Sequence, residues 1–305
     1  MTAITFSSAI FLCFQCLIIP SPALFAQGLP ETDIFVARIS HVNSRIVLDS
    51  LHNITHRSGY DNQPSFVPDG KSILFTEYLD NQSDIFRYFF ENDSIVRLTD
   101  TKESEYSPVV MPDGKHFSVV RVEKDSTQRI WQFPLALQGS SESPELLLKT
   151  IKPVGYQEWI DSATIALFIL GDTNMLHIVR IQSENDEKVV GEIGRSLHKI
   201  PGGNSVSFVH KASEKEWWIK AYDPKTKTLQ PLIQTLPKRE DFTWTQDGML
   251  LMGDSLKLYS CKPRTDSTWQ LLADFSGMGI SEISRLAVCL QGDRVAIVGR
   301  MVTKR

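Results

Sequence analysis

The chain has 305 residues and a formal net charge of −4, with 42% hydrophobic and 22% charged residues. These values are ordinary for a soluble globular protein. A nucleic-acid partner is not expected, because the basic residues alternate with acidic ones and form no cluster or stripe.

The first 26 residues differ from the rest of the chain. They carry no charged side chain and contain the apolar run Ala9–Ile19, followed by prolines and small residues. A short apolar core ending in a small residue is typical of a secretory signal peptide. The run is shorter than the roughly 20 apolar residues that a membrane span needs. We therefore predict a signal peptide over residues 1–26, cleaved after Ala26, and a periplasmic or secreted protein without a stable membrane span. A cut after Ala23 and an uncleaved N-terminal helix are the alternatives.

Two cysteines, Cys261 and Cys289, follow the predicted cleavage site. An oxidising compartment permits a disulfide between them. A bridge also requires Cα atoms within about 7 Å of each other, which the spacing does not determine. Both alternatives, a disulfide and two separate buried thiols, therefore stay open.

One phrase recurs after the predicted leader. Residues 60–75 read YDNQPSFVPDGKSILF and residues 106–120 read YSPVVMPDGKHFSVV. In each, a proline introduces a short apolar strand, which is followed by a Pro-Asp-Gly-Lys turn and a second apolar strand. Asp-Gly between two such runs is a strong hairpin signal, because glycine tolerates a positive φ. Both phrases therefore predict β-hairpins.

Weaker copies continue this pattern to the end of the chain. The turn positions, separated by 44, 48, 41, 45 and 44 residues, are Gly70, Gly114, Ser162, Gly203, Gly248 and Gly292. Two further strands follow each of the first five hairpins, and the fourth strands are predicted at Ser94–Thr99, Leu146–Leu148, Lys188–Ile193, Gln230–Gln234 and Trp269–Asp274. Four-stranded propeller blades repeat at about 40–50 residues. The pattern predicts an all-β fold, a six-bladed β-propeller of four-stranded antiparallel blades, as a single domain over residues 27–305.

The two ends of the chain predict how the ring closes. The last turn is flanked by only two strands, Ile283–Cys289 and Arg294–Arg300. Near the N-terminus, Thr32–Ile39 matches the third-strand phrase at Asp84–Phe86, and Arg45–Leu51 reads as a fourth strand. We predict that these N- and C-terminal strands share the last blade, since closure removes free sheet edges.

The unit at residues 60–99 resembles the WD-like repeats of the TolB propeller family. The likeness lies in Tyr60-Asp61, Pro64-Ser65-Phe66, Pro68-Asp69-Gly70-Lys71, Ile73-Leu74-Phe75-Thr76, Ser83-Asp84-Ile85-Phe86 and Arg97-Leu98-Thr99. The next unit shares Ser107-Pro108 and Pro112-Asp113-Gly114-Lys115, and the others match in turn position and strand pattern. The resemblance implies a propeller and an exported location, but not TolB's role with an outer-membrane partner. Only Gln27–Glu31 separates the predicted cleavage site from the first strand, so the likeness is expected to concern the propeller without TolB's N-terminal α/β domain.

Catalytic patterns do not stand out in this sequence. It has no Gly-x-Ser-x-Gly elbow, no phosphate-binding loop and no His-Glu-x-x-His, and its seven histidines lack metal-ligand spacing. We therefore do not expect an enzyme.

Acidic residues recur near the start of the predicted first strands, which line the channel of a propeller. These residues are Asp61, Glu105, Glu158, Glu240, Asp241 and Glu282. Near one mouth of the channel, such carboxylates would attract a basic peptide. They are also oxygen ligands of the type that Ca²⁺ prefers, although the sequence requires no cofactor. Ordinary solvated loops are the third interpretation.

Two other recurring residue types have structural interpretations. The Asp-Gly pairs Asp69-Gly70, Asp113-Gly114 and Asp247-Gly248 are expected to stabilise tight turns, because an aspartate there accepts backbone N–H bonds. The aromatic residues Phe66, Trp159 and Trp244 share one repeat position and are expected to pack between blades.

Three functions stay open at this stage. The first is an exported, monomeric, non-catalytic module that binds a protein or peptide through one mouth of its channel. The second is a lactonase- or lyase-type propeller enzyme that uses a divalent cation, and the third is a scaffold or sensor subunit of an envelope complex. The fold alone does not choose between them, because propellers carry many functions.

Overall fold

The computed structural model describes residues 29–43, 45–49, 51–136 and 142–302. Within these ranges the chain consists of β-strands, turns and irregular segments. The described part contains no helix of the length and apolar character needed to cross a membrane. The predicted signal peptide lies outside the described residues.

The largest sheet has nine strands and joins the two ends of the described chain. Seven of them come first in sequence: β1 (Thr32–Val42), β2 (Arg45–Leu48), β3 (His52–Asn53), β4 (Tyr60–Phe66), β5 (Ser72–Leu79), β6 (Gln82–Phe89) and β7 (Ser94–Arg97). A single parallel pair, Thr32 with Tyr60, connects β1 to β4. The sheet therefore consists of an antiparallel unit β4–β7 and a second unit built around β1.

Four separate four-stranded antiparallel sheets follow in the chain. The first contains β8 (Ser104–Val110), β9 (His116–Val122), β10 (Gln128–Pro134) and β11 (Glu145–Leu146). The second contains β12 (Val154–Asp161), β13 (Thr164–Ile169), β14 (Met175–Arg180) and β15 (Asn185–Val190). The third contains β16 (Ile193–Lys199), β17 (Val206–Lys211), β18 (Trp217–Asp223) and β19 (Thr228–Gln234). The fourth contains β20 (Phe242–Trp244), β21 (Leu250–Asp254), β22 (Lys257–Cys261) and β23 (Gln270–Asp274).

The last two strands return to the first sheet. They are β24 (Ile280–Val288) and β25 (Arg294–Met301). Strand β25 pairs antiparallel with β1 from Thr32–Arg300 to Arg38–Arg294, and both β2 and β3 pair with β1. The predicted pairing between the N-terminal and C-terminal strands is therefore present, and it ties the two ends of the described chain together.

A recurring Asp and Thr pair explains why the N-terminal strand matches the third-strand phrase. Thr55 accepts a hydrogen bond from the Ile34 N–H and donates to Asp33, and Thr99 does the same for Ile85 and Asp84. In both cases the threonine lies just after the next paired strand, and it is hydrogen-bonded to the strand that carries the third-strand phrase. The sequence repeat thus corresponds to a repeated hydrogen-bonded junction.

The predicted hairpin turns lie between first and second strands. Gly70, Gly114 and Gly248 adopt positive φ, which explains the glycine at these positions. The Asp69 and Asp113 carboxylates accept N–H bonds from the residues two positions later. Asp247 instead accepts a bond from the Thr245 hydroxyl. The turn chemistry is therefore local, and for this reason it is visible in the sequence.

The apolar core lies between neighbouring sheets. The indole N–H of Trp159 donates to Ser118 of the preceding sheet at 2.9 Å, and that of Trp244 donates to Ser207 at 2.8 Å. Phe66, the third aromatic at this repeat position, packs against another buried cluster. Each indole thus fills the gap between two sheets and satisfies its only polar atom there.

Some details differ from the sequence interpretation. The fourth strand expected at Lys188–Ile193 ends at Val190, and Ile193 already begins the next sheet. Val190 and Ile193 are close in sequence but belong to different sheets, and the Gly191-Glu192 break between them marks the boundary. Cys261 and Cys289 are both free, buried thiols, so the question of a disulfide is answered in favour of separate thiols.

Candidate functional site

A ring of strands surrounds a central cavity in the described part of the chain. Strands β4, β8, β12, β16, β20 and β24 each contact the next, and β24 contacts β4. Five of them carry a bulge or register shift against their partner strand. Such irregularities re-aim side chains, and here they lie beside the cavity.

The first cavity lies near the turns that follow the innermost strands, and we call it the turn-side chamber. Its volume is about 340 Å³. The polar part of its wall includes Gln63, Ser107, Gln157, Glu158, Ser196, His198, Thr243 and Gln246, and the apolar part includes Pro64, Phe66, Pro108, Val109, Leu197, Leu286 and Val288. This mixture of apolar surface and a few polar groups is typical of ligand-binding cavities.

A hydrogen-bond network in the chamber wall links three sheets. The side-chain oxygen of Gln63 accepts bonds from the Thr76 hydroxyl and the Ser107 N–H, and Gln157 donates to the Ser107 carbonyl at 3.1 Å. Gln63 and Ser107 have φ of 56° and 53°, a left-handed conformation that is uncommon outside glycine. The network therefore holds two strained bulges in place beside the cavity.

Two polar atoms of this wall have no hydrogen-bond partner among the described residues. They are the Ser107 hydroxyl oxygen and the side-chain oxygen of Gln157, and both side chains belong to residues more than nine-tenths buried. Buried polar groups are normally hydrogen-bonded, and exceptions call for an explanation. Ser107 and Gln157 therefore leave unused hydrogen-bonding capacity in the wall of the turn-side chamber.

Glu158 is the carboxylate that lines the turn-side chamber alone, whereas Asp241 lines both chambers. Its only described hydrogen bond comes from the Lys199 N–H at 3.0 Å, and it forms no ion pair with the described residues. Burial raises its pKa to about 7, and the Lys199 N–H opposes that shift only in part. Burial also lowers the pKa of the neighbouring His198 to about 4, so this ring is neutral near pH 7.

The Glu158→Gln variant should show a weaker loss of stability with rising pH than the wild type. The folded-state pKa lies above the ordinary 4.5, so the unfolded chain ionises first as the pH rises, and Glu158 costs stability progressively between about pH 4.5 and 7. Urea unfolding at pH 5 and pH 8 measures the difference. The control is Asp274→Asn, because hydrogen bonds from Ser276 lower the pKa of Asp274, which stays ionised across this window. Equal pH dependence in wild type and Glu158→Gln would refute the assignment.

The second cavity lies where the innermost strands begin, and we call it the start-side chamber. Its volume is about 430 Å³. The lining includes Leu29, Pro30, Thr32, Tyr60, Asn62, Tyr156, Arg195, Lys238, Arg239, Glu240, Asp241, Glu282, Ser284, Arg285 and Arg300. Charged side chains dominate here, in contrast to the turn-side chamber.

A four-residue cluster belongs to the walls of both chambers, and we call it the central cluster: Tyr156, Arg195, Asp241 and Arg285. Arg195 contacts both oxygens of Asp241, at 3.1 and 2.6 Å. Arg285 contacts Asp241 at 3.0 Å and the Tyr156 hydroxyl at 2.7 Å, and its guanidinium also covers the Tyr156 ring. The cluster therefore joins strands β12, β16 and β24 of three sheets to Asp241, which directly precedes β20 of a fourth, at the boundary between the two chambers.

The predicted acidic residues occupy three different environments. Glu240, Asp241 and Glu282 line the start-side chamber, Asp241 borders both chambers, and Glu158 lines the turn-side chamber. Asp61 and Glu105 are fully buried away from solvent. The structure thus brings three of the predicted carboxylates together, and the six do not form one ring at a single level.

Cationic partners of these carboxylates were missed by the sequence interpretation. Arg57 contacts Asp61 at 2.5 Å, and Arg121 contacts Glu105 at 2.8 Å. Glu240 pairs with Lys211, and Glu282 with Arg239 and Arg300. One signal was available: the Pro-Asp-Gly turn places Arg121 directly opposite Glu105 in the hairpin. The partners of Asp241 come from other sheets and had no such signal.

The predicted acidic residues are potential oxygen ligands for a Ca²⁺ ion. No group of three or more His, Cys, Asp or Glu side chains within the described ranges is arranged to hold a metal ion. Burial raises the pKa of Asp61 and Glu105 above their ordinary ranges, against the pull of Arg57 and Arg121. Arg57 and Arg121 each bind one oxygen of these two carboxylates, and the second oxygen of each carboxylate has no hydrogen-bond partner among the described residues.

Comparisons with known proteins address the fold. No family model matches the chain, and no curated protein sequence matches it. A protein described as a TolB from Agrobacterium tumefaciens superposes with a TM-score of 0.70 at 13% identity, covering 90% of this chain and 100% of that one. The fold is that of a TolB-like β-propeller. The resemblance expected from the repeats is thereby confirmed at the level of the fold.

Structures with quite different names also superpose on the chain. An oligogalacturonate lyase in complex with manganese superposes with a TM-score of 0.57 at 13% identity, over 85% of this chain and 83% of that one. A chain from a nidogen/laminin complex gives a TM-score of 0.59 at 10% identity, over 88% and 98%. At such low identity the likeness concerns the fold alone, so the function must be argued from the site.

Proposed function

We propose that this TolB-like propeller is an exported, non-catalytic module that binds a protein or peptide segment through the turn-side chamber. The observation that carries the proposal is the chamber wall itself, where the buried oxygens of Ser107 and Gln157 lack partners among the described residues beside an apolar surface. A peptide supplies backbone N–H groups to such oxygens and apolar side chains to Phe66 and Leu286.

We further propose that the ligand segment carries a basic side chain. Glu158 lies in the same wall and forms no ion pair with described residues. An incoming ammonium or guanidinium group would stabilise its ionised form and lower its raised pKa. A charge-assisted hydrogen bond of this kind is roughly twice as strong as a neutral one. In this proposal, Glu158 is the acidic residue that attracts the basic peptide.

The scaffold of this proposal is a monomeric ring of six blades. The single pair between Thr32 and Tyr60 supports counting the nine-stranded sheet as two blades, which gives six with the four separate sheets. The closed sequence of contacts among the innermost strands supports the same count. A rigid ring suits a binding role, because a preformed site loses little conformational entropy when the ligand binds.

Export is proposed from the sequence, with cleavage after Ala26 and a periplasmic or extracellular location. The experiment is N-terminal sequencing of the protein recovered from its own host. A mature N-terminus at Gln27 in the periplasmic or extracellular fraction is the expected result. Recovery of the intact chain in the cytoplasm would refute this part of the proposal.

Selection from a random peptide library tests the binding role directly. Purified protein should select peptides that contain Lys or Arg, and their affinity should fall about tenfold or more in Glu158→Gln, as expected for losing one charge-assisted contact. Gln157→Leu should also weaken binding. The control is Gln132→Leu, an amide on β10 that bonds to Glu145 away from the chamber.

Two results would overturn the proposal. One is the absence of any selected peptide, and the other is a selected peptide whose affinity is the same in the chamber variants and the control. Turnover of a substrate that depends on Glu158 would replace the binding role with an enzymatic one. Circular dichroism of each variant distinguishes loss of binding from loss of folding.

A further inference from the structure

The start-side chamber has a charge opposite in sign to that of the whole protein. Its lining has five cationic side chains, Arg195, Lys238, Arg239, Arg285 and Arg300, and three anionic ones, Glu240, Asp241 and Glu282. Lys211 and Asp254 pair with lining residues from outside the chamber, and their charges offset each other. The chamber thus has a formal surplus of about two positive charges, although the chain carries a net −4.

Part of this surplus lies deep in the channel. Arg195 and Arg285 both contact the single carboxylate of Asp241. Within the described residues, this carboxylate is the only one that Arg285 contacts. The Arg285 side chain is only 13% exposed. An incompletely balanced guanidinium in a partly buried position attracts an anion more strongly than one at the surface, because solvent screens it less.

Neutral donors lie beside these cations. The Ser284 hydroxyl is buried without a hydrogen-bond partner among the described residues, and it lines the chamber. Tyr60 also lines the chamber, and burial raises its pKa to about 12, so its hydroxyl keeps its proton at neutral pH. Both groups are able to donate hydrogen bonds to an anion.

We infer that the start-side chamber is a second binding site, one that takes the carboxylate group of an anionic ligand. The planar fork of a guanidinium matches the two oxygens of a carboxylate, a geometry that Arg195 and Asp241 already show inside the chamber. Arg285 and Arg195 border the deep end of the site. Lys238, which is exposed, and Arg300 stand at its outer part.

This inference does not depend on the ligand of the turn-side chamber. The two chambers share the central cluster, but the residues changed to test the two proposals are different. Glu158, Ser107 and Gln157 line the first chamber, whereas Lys238, Ser284 and Arg300 line the second. One site can therefore fail its test while the other passes.

Titration calorimetry with succinate tests the site, with its neutral diamide, succinamide, as the ligand control. Wild-type protein should bind succinate and not succinamide, and higher salt should weaken the binding because it screens the charges. The Lys238→Ala/Arg300→Ala double variant should bind succinate about tenfold more weakly or worse, as expected for losing charged contacts. The matched control is Lys225→Ala, an exposed lysine in the β18–β19 turn that does not line the chamber.

Three outcomes would overturn the inference. Wild-type protein that binds no succinate has no such site, and equal affinity in the double variant and the wild type would place the site elsewhere. Equal binding of sulfate and succinate would indicate a general anion site rather than one for carboxylates. Ser284→Ala provides an independent check, because it removes a neutral donor without changing any ion pair. It should also weaken succinate binding, and unchanged affinity would contradict the role given to that hydroxyl.

Discussion

Replacing Arg121 with methionine should destabilise the folded chain by about 3–5 kcal/mol, the range expected when a buried charge loses its partner. The Glu105 side chain is fully buried, and its ionised form depends on Arg121 at 2.8 Å and the Thr101 hydroxyl at 2.7 Å. The Arg121 guanidinium also lies over the Trp131 ring, and methionine supplies a flexible apolar side chain that can cover this ring in its place. The loss should therefore come mainly from the uncompensated carboxylate, and urea unfolding at pH 7 measures it.

A surface ion pair provides the control for this prediction. Lys227 pairs with Glu187 at 3.3 Å, and the lysine side chain is 68% exposed. Its replacement by methionine should change the free energy of unfolding by less than about 1 kcal/mol, because exposed pairs contribute little. The Arg121→Met defect should also shrink at pH 5, because burial raises the pKa of Glu105 and a protonated carboxyl needs no cation. Similar effects for the two variants would contradict the role given to burial.

Truncation of Ile34 to alanine should cost about 2–5 kcal/mol, the range for a large-to-small change in a packed core. Ile34 is fully buried in β1, opposite Val298 of β25, and packs in a cluster with Ile73 and Phe75. The cavity would thus form where the N-terminal strand joins the C-terminal strand. Chemical unfolding monitored by tryptophan fluorescence measures the change.

A residue of the same strand provides the comparison for Ile34. Val42 lies at the end of β1 with its side chain 52% exposed. Its replacement by alanine should change stability by no more than about 0.5 kcal/mol, as is usual for surface positions. If Ile34→Ala were equally mild, the pairing of β1 with β25 would not be an important source of stability.

Much of the fold could be predicted because its determinants are local. Alternating apolar residues and the Asp-Gly turns at Gly70 and Gly114 indicate hairpins without any knowledge of distant contacts. The match between Asp33-Ile34-Phe35 and Asp84-Ile85-Phe86 even predicted which strand β25 would meet. The boundary near Gly191 was misplaced, because the apolar residues Val190 and Ile193 stand close together in sequence although they belong to two different sheets.

The candidate site could be predicted only in part. Repeat position placed Glu240, Asp241 and Glu282 near one mouth, and the structure brings these three together. It did not indicate that the same chamber would have a surplus of positive charge. Nor did it indicate that Ser107 and Gln157 would leave buried oxygens without partners in the described part of the chain. Those properties depend on which side chains other sheets contribute.

The sequence by itself determined the all-β repeat, its hairpin turns and the pairing of the chain's two ends, because residues close in sequence or repeated at a fixed pitch encode them. Only the tertiary structure decided the charge of the two chambers. Arg285 meets Asp241 across 44 residues and Tyr156 across 129, and no local pattern records such pairs. Ion pairing between sheets depends on how the sheets pack around the channel, so it follows from the assembled ring rather than from any single repeat.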